Sequence, residues 1–74
     1  MTINKVYVVA PVINKEDCRK RTFRTRDEAN SYVGKLLDKY HLNVDHIIKR
    51  NRKHNVEFVC DDYRSRFFVN RVLK

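Results

Sequence analysis

At 74 residues and 9.0 kDa the chain holds one domain, residues 1–74, and a domain this small buries only about 63% of its unfolded surface. Seventeen Lys and Arg against nine Asp and Glu give a formal charge of +8, and 42% hydrophobic with 35% charged residues describes a globular chain, not a disordered one. The length excludes a multi-domain enzyme, and a single glycine excludes a glycine-rich phosphate cradle.

The chain opens on a strand-like run and not on a signal peptide. Val6–Val9 is β-branched with one Tyr and predicts a strand, whose end Pro11 confines to an edge or a bulge. The longest apolar run, Val6 to Ile13, is interrupted by that proline and is too short to span a bilayer. A soluble cytoplasmic protein with no membrane partner is expected. Asn14-Lys15-Glu16-Asp17 reads as a turn, and Cys18–Arg24 as a second strand completing a hairpin. Cys18 and Cys60 fit no zinc spacing and are expected to be buried free thiols in a reducing compartment.

Ala29, Tyr32, Val33, Leu36, Leu37 and Tyr40 recur at helical spacing and predict an amphipathic helix from Arg26 to Tyr40. Thr25 three residues before Glu28 matches a capping box, and the acids Asp27 and Glu28 suit the first turn. Gly34 lies on the flank of the apolar stripe and is read as an ordinary surface position. Val44–Arg50 and Val56–Cys60 predict two strands joined by the polar turn Asn51–Asn55. Asp61–Ser65 then forms a connecting loop. Arg66–Leu73 fits either a strand or a helix capped by Asp62, and its aromatic and β-branched content favours the strand. The expected fold is therefore α+β: a small antiparallel sheet with one helix on one face, in the order strand-strand-helix-strand-strand-strand.

The charge is uneven along the chain. Residues 1–25 carry a net +4, residues 26–40 a net of zero, and residues 41–74 a net +4. A neutral helix covering one face of a basic sheet leads to the expectation that the opposite face and its rim are positive, a surface suited to polyanions. The candidate contacts are Arg19, Lys20, Arg21 and Arg24 on the second strand, Lys49, Arg50, Arg52 and Lys53 at a hairpin tip, and Arg64 with Arg66. Nine of the seventeen cations are arginine, whose forked donors match phosphate or a guanine edge. Tyr7, out of phase with Val6 and Val8, is a candidate base-stacking residue facing away from the helix, and one of Phe67 and Phe68 must face away too.

The segment Cys18-Arg19-Lys20-Arg21-Thr22-Phe23-Arg24-Thr25-Arg26-Asp27-Glu28-Ala29 runs from a basic strand through Phe and Thr to a charged pair that opens a helix. It resembles the arm-type DNA-binding domain of phage and transposon integrases. That resemblance implies a small antiparallel sheet laid against duplex DNA with the helix behind it. Arg19, Lys20, Arg21 and Arg24 would then lie near the contact strand, with Thr25 and Ala29 structural. The chain shows two strands before the helix where the family pattern has three, adds three strands after it, and has no recombinase catalytic region.

Catalytic chemistry finds little support. His41, His46 and His54 form no i, i+4 pair within one element. Asp61-Asp62 with Glu57 would need a curled loop to share a Mg²⁺, and Cys60 with His54 lacks an orienting third group. No catalytic residue, metal or cofactor is assigned. The leading reading is a small basic nucleic-acid-binding protein that contacts phosphate through a sheet face and hairpin tips, with duplex DNA ahead of RNA. The alternative is a protein-interaction module, accessory or inhibitory, that binds an acidic partner or dimerises through a strand edge.

Overall fold

The computed structural model describes residues 5–52 and 54–73. The elements in chain order are β1 (Lys5–Ile13), β2 (Glu16–Asp17), β3 (Arg21–Phe23), α1 (Arg26–Lys39), β4 (Val44–Arg50), β5 (Asn55–Cys60) and β6 (Ser65–Leu73). They form one antiparallel sheet in the order β2-β1-β6-β5-β4, with β3 also on β1, and one helix. The α+β class holds. The order differs in one respect, because the helix follows three strands and not two.

The difference lies at Pro11. Val12 faces Asp17 and Val9 faces Arg21, so Ala10-Pro11 on β1 is opposed by three residues, Cys18–Lys20. One extra residue opposite a proline that has no N–H to offer is a β-bulge. It splits the expected second strand into β2 and β3 and lifts Arg19 and Lys20 out of the ladder. The Cys18 N–H still reaches the Pro11 carbonyl at 2.9 Å. Residues 66–73 are strand, paired on one side with β1 and on the other with β5.

The single glycine lies in the helix, so other residues, Asn and Asp in half of the cases, take the left-handed positions. Asn14 and Lys15 have φ 52° and 66°, a type I′ pair closing β1 on β2. Asn51 and Arg52 have φ 50° and 55°. Asp61, Asp62 and Tyr63 all have positive φ in the loop before β6. The helix starts as its sequence dictates. The Thr25 hydroxyl accepts the Glu28 N–H at 3.2 Å and donates to Glu28 Oε1 at 3.1 Å, a cap worth about 1 kcal/mol. It ends in a Schellman arrangement, with His41 at φ 55°, Leu42 N–H on the Leu37 carbonyl at 2.8 Å and His41 N–H on the Asp38 carbonyl at 3.3 Å.

The core lies between α1 and the β1, β3 and β6 part of the sheet. Tyr7, Val9, Ile13, Phe67 and Val69 meet Ala29 and Val33, with Phe23, Tyr32, Leu36 and Leu37 packed around them. Cys60 and Phe58 of β5 join the same core, but among the described residues the helix backbone stays away from β4 and β5. That is why Tyr40, at the end of the predicted stripe, is 42% exposed and Ile47 on β4 is 54% exposed. A Cβ at Gly34 would meet nothing within 4 Å, so the glycine marks no close backbone approach. Both cysteines are free as expected, but only Cys60 is buried. Cys18 stands exposed at the bulge.

Two expectations about the sheet faces are overturned. Tyr7 points toward the helix and is only 9% exposed, with Val6 and Val8 on the other side. Both faces of β1 are apolar, because β1 is a central strand, so alternation within it could not tell one face from the other. The face opposite the helix is also not a positive surface. Cross-strand register gives it Val6, Val8, Ala10 and Val12 from β1, Phe68 and Val72 from β6, Val59 from β5 and Ile48 from β4. Its charge is local. The buried Glu57 carboxylate lies 3.9 Å from Arg50 and 3.8 Å from Arg66, and the Arg66 guanidinium covers the Phe68 ring at 5.5 Å.

Candidate nucleic-acid interface

The charge is divided by end and not by face. The antiparallel order brings the start of β1, the end of β6, the β4–β5 turn and the first turn of α1 to one end of the sheet. Lys5, Arg24, Arg26, Arg50, Arg52 and Arg71 therefore gather there, with Asp27 and Glu28 as the nearby acids. The opposite end carries the β1–β2 turn, the β5–β6 loop and the start of β4, held together by hydrogen bonds. Lys15 N–H donates to the Arg64 carbonyl at 2.8 Å, Asn14 N–H to Ser65 Oγ at 3.1 Å, and Asp62 N–H to Asp45 Oδ2 at 3.0 Å. Glu16, Asp17, Asp45, Asp61 and Asp62 lie at that end with Asp38 in the last turn of the helix, against Lys15, Lys39, Arg64 and Arg66.

The basic end has a definite construction on the helix side of the sheet. Register aligns Phe23, Tyr7 and Arg71 across β3, β1 and β6. The Arg71 N–H extends this row to the His54 carbonyl at 3.2 Å and also reaches Asn55 Oδ1 at 3.3 Å. Arg26, the first helical residue, lays its guanidinium over the Tyr7 ring at 5.5 Å. Lys5 lies two residues from Tyr7 on the same face of β1, and Arg52 in the turn that precedes His54. His54 is partly buried. Loss of hydration first, and then the charges of Arg71, Arg26, Lys5 and Arg52, hold its imidazole below the ordinary value of 6.5. One row inward, the Arg21 guanidinium sits 5.8 Å from the Phe23 ring centre and 5.1 Å from that of Tyr32.

The sequence-predicted residues thus divide into groups. Arg24, Lys49, Arg50 and Arg52 lie at or beside the basic end. Arg19, Lys20 and Arg21 occupy the bulge and the β3 edge. Arg64 belongs to the opposite, acid-rich end, and Arg66 is committed to Glu57 and Phe68 on the far face. Tyr7 is a core residue covered by Arg26, not an exposed platform. Lys53 lies outside the described residues. Four members of the basic end, Lys5, Arg26, Arg71 and His54, are absent from the sequence-derived set. Lys5, Arg26 and Arg71 each stand between neutral or acidic neighbours, and His54, which follows Lys53, is no cation by sequence; only strand pairing assembles the four.

Among the described residues no three His, Cys, Asp or Glu side chains gather as a metal site. His54 and Cys60 stand at opposite ends of β5, and the Cys60 thiol is pushed up, chiefly by burial and then by Asp61 and Asp45. Among the described residues no helix is long and apolar enough to cross a membrane. Compared with known proteins, the chain matches no family model, no curated protein and no solved structure.

Proposed function

We propose that this chain is a small nucleic-acid-binding protein that acts by binding and not by catalysis, and that it contacts the phosphate backbone of duplex DNA through its basic end. One observation carries the reading. Lys5, Arg26, Arg52 and Arg71 arrive from four separate elements at one corner, and none of them forms an ion pair among the described residues. Arginines gathered without carboxylate partners repel one another, a cost that a polyanion relieves on binding. Duplex is favoured over single strands because the described residues of this corner offer no free aromatic face. Tyr7 lies under Arg26 and Phe23 under Arg21, whereas single-strand recognition depends on open stacking platforms. Contacts of this kind position the protein on the backbone, and sequence preference would fall to one or two arginines reaching a groove. The resemblance of residues 18–29 to arm-type integrase domains points to the same ligand.

A second reading has its own observation. β4 is a free edge strand carrying the exposed Ile47, which suits pairing with another chain in an interaction module.

The test is fluorescence anisotropy with a labelled 20-bp duplex, a 20-nucleotide RNA and polyglutamate, on the wild type, the Arg26→Gln/Arg52→Gln pair and the Lys15→Gln/Arg64→Gln pair. The expected result is tightest binding to the duplex, weakened only by the first pair. Equal loss from both pairs, or polyglutamate binding as tightly as DNA, would overturn the assignment. A concentration-dependent doubling of mass in light scattering, abolished by Ile47→Lys, would favour the second reading.

A further inference from the structure

The basic corner is organised around a histidine whose protonation the free protein opposes. The Arg71 N–H meets the His54 carbonyl at 3.2 Å, and Arg26 covers Tyr7, the register partner of Arg71, at 5.5 Å. Lys5 lies two residues from Tyr7 on the same face of β1, Arg52 precedes His54 by two residues, and Asp27 and Glu28 in the first turn of α1 are the nearest acids. The charges of the four cations oppose an imidazolium at His54. Its neighbour on β5, Asn55, is neutral and spends Oδ1 on the Arg71 N–H. A phosphodiester placed among these side chains would neutralise the charges that disfavour an imidazolium. The imidazole would then gain a proton from solvent and a second N–H donor, in a setting where the new hydrogen bond is charge-assisted.

We propose that the corner formed by Lys5, Arg26, Arg52, His54 and Arg71 is a phosphodiester-binding site in which His54 takes up a proton as the phosphate binds. The inference rests on the polyanion reading above and adds a proton to its stoichiometry. The sign follows directly. In the free protein the His54 titration lies below its ordinary value of 6.5, and the proposed complex would move it to higher pH. Between those two points binding consumes a proton, so affinity rises as pH falls. Because a phosphodiester stays singly charged throughout this range, the ligand itself adds no slope.

The experiment measures affinity for a labelled 12-bp duplex at pH 7.5 and pH 5.5 for wild type and His54→Asn, with the imidazole resonances of His41, His46 and His54 titrated with and without duplex. The wild type is expected to tighten by roughly fivefold or more on acidification, the lower end of ordinary coupling between two ligands, here proton and phosphate. His54→Asn is expected to lose most of that gain while still binding at pH 7.5. In the wild type the His54 titration should move to higher pH with DNA bound. Duplex binding with the same pH dependence in both proteins and an unmoved His54 titration would overturn the proton uptake and leave the polyanion reading intact. No duplex binding at either pH would overturn both. The His54 titration in the wild type decides the matter even if the variant folds poorly.

Discussion

The salt dependence of binding measures how many cations the corner brings to phosphate. Each phosphate neutralised on a duplex contributes about −0.9 to the slope of log affinity against log salt. Lys5, Arg26, Arg52 and Arg71, the four cations of the basic corner, would therefore set a slope of about −3.6 if each meets one phosphate. Affinity would then fall about 150-fold between 50 and 200 mM salt. Changing any one of the four to Gln should reduce the slope to about −2.7 and the fall to about 40-fold. Arg24 and Arg50 flank the corner, and their participation would steepen the wild-type slope to about −5. Anisotropy titrations with a labelled duplex at five salt concentrations measure the slope directly. Arg64→Gln, at the far end, and Arg66→Gln, on the far face, should leave it unchanged. A slope near zero, or an equal reduction from Arg64→Gln, would refute the end-on arrangement.

Three further outcomes test the fold. Gly34→Ala places a methyl where nothing lies within 4 Å, so helix propensity alone should raise stability by about 1 kcal/mol; for 74 residues this is a rise of about 6 °C in Tm by circular dichroism, and a fall would show that the helix surface is covered in solution. Glu57→Gln removes the carboxylate shared by Arg50 and Arg66, whose Nε is buried without a partner, and should cost about 1–3 kcal/mol in urea unfolding; no change would show that the paired charges only offset their own desolvation. A maleimide applied to the native protein should label Cys18 and spare Cys60, which mass mapping resolves, since one thiol is exposed and the other is buried and held protonated.

Much of the secondary structure was legible in the sequence because its signals are local. Thr25 and Glu28 announce the helix start, the Asn and Asp residues announce the turns, and the aromatic and β-branched content of residues 66–73 outweighs its helical spacing. The candidate surface was not legible, because its signal is topological. Arg19, Lys20 and Arg21 form the densest basic run, yet the bulge opposite Pro11 leaves them along an edge. Lys49 and Arg50 are adjacent, yet alternation sends them to opposite faces of β4. Lys5, Arg26, Arg52 and Arg71 are far apart in the chain and meet only because β1 and β6 are antiparallel neighbours with the β4–β5 turn at the same end. The orientation of Tyr7 was hidden for a related reason: a strand apolar on both sides has no phase until its partners are known.

Splitting opposite charges between the two ends of a body measuring 42 × 22 × 19 Å gives it a lasting electric dipole along the strands. In the field of a polyanion such a particle rotates before it touches, and arrives with its narrow cross-section first. A contact some 20 Å across covers about six base steps at about 3.4 Å each. If the proposed duplex binding holds, that footprint sets the closest spacing of two copies, with their acid-rich ends turned outward.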